Sequence, residues 1–86
     1  MAPTAKIFQA ELDRLFNQAI SDGKSYIDVR SGPFHREVGG YPGRDNRMPV
    51  LCGVLYKNIG PDDSCLSRPP SGLGATLEVR YVLPRP

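Results

Sequence analysis

Residues 39–43 read Gly-Gly-Tyr-Pro-Gly, and neither a helix nor a strand continues through such a run. The glycines leave the backbone too free, and the proline removes a donor and fixes φ. Whatever precedes and follows must therefore fold as short elements joined by a bend. The surrounding stretch, HREVGGYPGRDNRMPV over 35–50, also holds the chain's one histidine and Arg36, Arg44 and Arg47. Three roles suit such a stretch: a catalytic loop, a phosphate cradle, or the turn between two helices. It lacks the Gly-Lys-Ser/Thr ending of a P-loop, and its glycines follow a helical pattern where a dinucleotide site has a strand. The sequence predicts a turn.

On either side the periodicities are clear. Phe8, Leu12, Leu15, Phe16 and Ala19 share one face of a helix over about 5–21, with Thr4 placed to cap it and Gly23 to end it. SYIDVR alternates as a short half-buried strand, Ile27 and Val29 on one side. Ser31 is expected as the N-cap of a second helix, with Pro33 in its first turn and Phe34 and Val38 inward. A third helix is expected over about 46–59, capped by Asn46 and stopped by Gly60-Pro61. Met48, Leu51, Cys52, Leu55 and Ile59 fall within about 100° of its wheel and form its buried face. A hairpin follows: Ser64–Arg68, the loop PPSGLG, then Leu77, Val79, Tyr81 and Leu83 alternating with Thr76, Glu78, Arg80 and Val82. One core is expected from Phe8, Leu12, Leu15, Leu51, Leu55, Leu77 and Val79.

Eighty-six residues make a single domain, 1–86, with a small core and little room for a deep substrate cavity. The longest apolar stretch, Pro49–Tyr56, is far short of the roughly 20 residues that span a bilayer. The amino terminus, MAPTAKIFQAELDRL, carries acids where a signal peptide is apolar. A cytoplasmic protein with no membrane partner is the expectation, and Cys52 and Cys65 then read as reduced core residues. Catalysis finds no constellation. His35 stands alone and is expected at a helix surface, Cys52 lies on the apolar stripe where a thiol is inert, and Asp62-Asp63 suit a turn at a helix end. No enzyme activity, no metal and no cofactor are expected.

The order helix, strand, helix, helix, strand, loop, strand resembles the winged helix-turn-helix family over almost the whole chain. In this likeness GGYPGRD is the turn before the recognition helix, and RPPSGLGA, about 68–75, is the wing. The seven-residue turn is longer than the compact motif has. The resemblance implies an α+β domain, α-β-α-α-β-β, whose small antiparallel sheet backs the helices. It also implies duplex DNA as partner, with the third helix in the major groove and the wing on the backbone or minor groove.

The charge pattern agrees with that implication without requiring it. The net charge is only +2, but eight of the eleven bases are arginines, and residues 30–47 set Arg30, Arg36, Arg44 and Arg47 against Glu37 and Asp45. Arginine suits phosphate contact. Opposite the core stripe of the third helix fall Asn46, Val50, Gly53, Val54 and Lys57, flanked by Arg47 and Tyr56. As a DNA surface, Arg44, Asn46, Arg47 and Lys57 would grip phosphates and bases, Val50 and Val54 would touch a thymine or methylcytosine methyl, and Arg36, Arg68 and Arg80 would widen the footprint. As a protein surface, the Val50–Gly53–Val54 strip would serve a homodimer or another partner, as in a small bacterial or phage-type adaptor or inhibitor. Duplex DNA binding, as a regulator or an accessory of a DNA-processing system, is the expectation, and the protein-interaction module is the alternative.

Overall fold

The computed structural model describes residues 3–39, 43 and 46–85. These form three helices and a three-stranded antiparallel sheet, in the order α1 (Ala5–Ser21), β1 (Tyr26–Arg30), α2 (Ser31–Val38), α3 (Met48–Lys57), β2 (Ser64–Ser67) and β3 (Glu78–Val82). It is a small α+β domain.

Helix α1 begins where expected. The Thr4 hydroxyl accepts the Ile7 N–H at 3.3 Å, and Gly23, at φ +77°, turns the chain out of the helix. Strand β3 is central: β1 pairs along one side, Tyr26 opposite Val82 through Arg30 opposite Glu78, and β2 along the other with a bulge between Cys65 and Ser67. The period-2 pattern of β3 and the residues flanking it sends Leu77, Val79, Tyr81 and Leu83 into the core. There they meet Phe8, Leu12 and Phe16 of α1, Phe34 of α2, and Met48, Leu51, Cys52 and Leu55 of α3. Leu15 and Ile59 pack against this cluster half-buried. The Tyr81 hydroxyl donates to the Leu55 carbonyl at 2.7 Å and so ties β3 to α3.

Several expectations are corrected. Ser31 is not an N-cap. Strand β1 runs directly into α2 with Arg30 at the cap position, and the first helical N–H groups find partners across the fold: Ser31 donates to the Leu77 carbonyl and Gly32 to that of Ala75. Gly32 allows this approach, because a Cβ there would lie 3.0 Å from the Ala75 oxygen. The Ser31 hydroxyl donates instead to the Gly74 carbonyl. Helix α3 is shorter than about 46–59, since Ile59 lies past its end. Asn46 still satisfies its start from one residue outside the cap position, its Oδ1 accepting the Met48 N–H at 2.8 Å.

His35 does not lie at a helix surface. It is fully buried, edge-on to Phe8 with ring centroids 5.0 Å apart, and its Nε2 accepts the Arg47 N–H at 2.9 Å. Cys65 is not a core residue, because β2 is an edge strand and leaves it exposed, whereas Cys52 is buried. Burial pushes the Cys52 thiol up. Among the described residues no helix is long and apolar enough to cross a membrane.

Candidate nucleic-acid interface

The outward side of α3 lies between α1 and the 68–75 loop. On the loop side, Tyr56 is the anchor: its hydroxyl donates to the Gly72 carbonyl, and the Arg68 guanidinium lies over its ring, 5.4 Å from the centroid. The Ser31 hydroxyl and the Cys52 thiol both point to the Gly74 carbonyl, the Gly72 N–H closes a turn onto Pro69, and Pro69 is buried. The loop expected as a wing is therefore folded back and latched beside α3. It keeps Leu73 exposed, and Arg68 stands at its root.

On the other side α1 and α3 border an open groove of about 610 Å³. Ala5, Lys6, Gln9, Ala10 and Asp13 form one wall, and Val50, Gly53, Val54 and Lys57 the other. The groove's spacing is set by an amide pair. Asn58 donates to Gln9 at 2.7 Å and Gln9 donates back at 3.2 Å, while Asn58 also donates to the Val54 carbonyl. Gln9 further donates to Asp13 at 2.9 Å.

This arrangement revises the α3 surface. Val50 is 38% exposed, but Val54 is only 7% exposed and belongs to the core cluster. Val54 therefore cannot present its methyls to a base. Helix α3 packs against both α2 and α1 while sharing the core with β3, and its free arc is narrower than a single apolar stripe suggests. Gly53 stands on that arc. A Cβ there would meet nothing within 4 Å, and its φ is not positive, so no internal contact demands glycine. The residue costs α3 roughly 1 kcal/mol relative to alanine.

The bases divide into two groups. Arg14 is bound to Glu11, Arg80 to Asp28 and Arg85 to Asp63. Lys6, Lys24, Arg30, Arg47, Lys57 and Arg68 make no ion pair with a carboxylate among the described residues, and of these Arg47, Lys57 and Arg68 border the outward side of α3. The Arg47 guanidinium donates to the Asn46 carbonyl at 2.8 Å, which keeps both residues together before the first turn of α3. Asn46 spends its side-chain oxygen on capping.

Arg80 is separated from this surface. It alternates with the core-facing Tyr81 and so stands on the outer face of the sheet, bidentate to Asp28 and stacked 4.3 Å over the Tyr26 ring. Hydrogen bonding to Arg80 holds the Asp28 carboxyl below its usual range. Arg36 is exposed in the last turn of α2. Arg44 lies outside the described residues, as does most of the Gly-rich turn.

Sequence reasoning missed the α1 wall of the groove, Lys6 included, and the Tyr56 and Ser31 latches. It also missed a clasp at the carboxyl end. Asp63, expected only to make a turn, accepts the Gly60 and Val82 N–H groups and the Arg85 guanidinium. Burial pushes its carboxyl up, but these donors outweigh burial and hold it below the ordinary range. Arg85 also lies over the rings of Phe16 and Tyr81 and donates to the Asn58 carbonyl. No protein-family model, curated protein or solved structure matches this chain.

Proposed function

We propose that this domain is a winged helix-turn-helix protein without catalytic activity that binds duplex DNA through α3 and the latched loop. One observation carries the reading. Three bases border the outward side of α3 (Arg47 before it, Lys57 at its end, Arg68 at the loop root), and none of them makes an ion pair with a described carboxylate. Charges kept out of intramolecular pairs are available to neutralise phosphates, and releasing the counterions held there drives association.

In this reading Arg47, Lys57 and Arg68 grip phosphates and set the register of α3. The Asn46 amide nitrogen, with its oxygen already used, donates to a base edge or phosphate, and Val50 is the one valine free to meet a thymine or methylcytosine methyl. Val54 and Arg80 leave the footprint. Specificity then rests on few groups, and positioning dominates. Such a domain serves as a regulator or as an accessory to a larger DNA-processing system. Fluorescence anisotropy with a labelled duplex tests it: binding at low salt should be lost as salt rises and weakened by Arg47→Ala and Arg68→Ala. No binding at low salt to any duplex tried would refute the reading.

A further inference from the structure

We propose that the groove between α1 and α3 is a docking site for an acidic amphipathic helix of a partner protein. The fold does not need a glycine at position 53: it lies inside a helix, at ordinary φ, with open space where a Cβ would be. Glycine is the poorest helix former after proline, so its absent side chain points to something outside the chain that comes close to the α3 backbone. Gly53 shares the groove with Ala5 and Ala10 on the facing helix. Small residues on both walls let a third helix axis approach closely, as helix packing over small side chains does.

The chemistry of the walls selects the occupant. Val50 and the alanines offer apolar contact over the buried Val54, which a phosphate chain could not use without losing hydration. Lys6 and Lys57 stand on opposite walls without carboxylate partners among the described residues, while the one acid, Asp13, is held by the Gln9 amide. A helix with an Ala or Leu ridge and glutamates on both flanks complements this pattern: its ridge lies over Gly53, and its carboxylates reach the two lysines. Val50 and Lys57 belong to both surfaces, so a docked helix and a duplex exclude each other; this competition alone rests on the DNA reading.

The probe is a labelled, hydrocarbon-stapled peptide of about 20 residues, long enough to hold a helix, with an Ala/Leu ridge flanked by glutamates. A second peptide carries lysine in place of each glutamate. Anisotropy and amide chemical shifts of the whole chain are the readouts. The glutamate peptide should bind in the micromolar range, with shifts centred on Ala10, Val50, Gly53 and Lys57. Gly53→Leu, which fills the groove, and the double reversal Lys6→Glu/Lys57→Glu should each weaken it about tenfold or more, with circular dichroism showing both variants folded. If Gly53→Leu does not fold, the charge reversal alone decides. The proposal is overturned by no shifts at millimolar peptide, by equal binding of the lysine peptide, or by unchanged affinity in a folded variant. It is also overturned if duplex DNA perturbs these amides and neither peptide does. The DNA reading fails separately, through absence of salt-dependent duplex binding.

Discussion

The His35 imidazole accepts the backbone N–H of Arg47 at 2.9 Å, joining the buried face of α2 to the cap residue just before α3. The bond joins residues on either side of the Gly-rich segment in the sequence and ties the start of α3 to α2. A neutral ring with Nε2 unprotonated is required, because an imidazolium has no acceptor. His35→Leu keeps most of the volume against Phe8 but leaves the Arg47 N–H without this acceptor. The loss should be about 1–3 kcal/mol in urea unfolding, with faster hydrogen exchange at the Arg47 amide. Unchanged exchange there would mean the bond does not hold α3.

The two valines of α3 separate in the same way. Val54→Ala removes buried methyls at the α1 contact and should destabilise by about 1–3 kcal/mol. Val50→Ala, on the exposed arc, should stay within about 0.5 kcal/mol of the parent in the same assay. Equal costs would contradict the burial of α3 on α1.

Leu55 tests the shared core. It is fully buried, and its carbonyl receives the Tyr81 hydroxyl. Leu55→Ala should lower stability by about 2–5 kcal/mol, measured by denaturant unfolding. A cost within the range of exposed sites would place Leu55 outside the packed interior.

What was legible in the sequence was what local pattern determines. The α1 stripe from Phe8 to Ala19, with Thr4 before it and Gly23 after it, involves only neighbours along one helix, and the alternation of Leu77–Leu83 only one strand. His35 escaped because its burial depends on an N–H group twelve residues away, across a bend. Val54 escaped because a helical wheel shows how many apolar residues a helix has, not how many neighbours it packs against. The loop latch was silent for another reason: the acceptors are carbonyls of Gly72 and Gly74, which no side chain announces.

The carboxyl-terminal clasp gives a pH signature. Asp63 and Asp28 are both held below the ordinary carboxylate range, the first by N–H donors and Arg85 against its burial, the second by Arg80. A group whose folded pKa is depressed contributes stability above its unfolded value, about 3.9 for aspartate, and that contribution is lost as pH falls through the folded value. Stability should therefore be level near neutrality and fall steadily below about pH 4. Asp63→Asn should be less stable at pH 7 and show a shallower acid slope; an identical slope would remove Asp63 from the account.

The central claim is tested by the salt dependence of duplex binding, measured by anisotropy for the parent chain and for single alanine variants at Arg47, Lys57 and Arg68. The account predicts a linear fall of log affinity with log salt, and a slope shallower by roughly 0.9 in each variant that removes one phosphate contact. Arg80→Ala, on the far face of the sheet, should leave the slope unchanged. No duplex binding at low salt, or a slope that Arg80→Ala alters and the three α3 and loop variants do not, would contradict it.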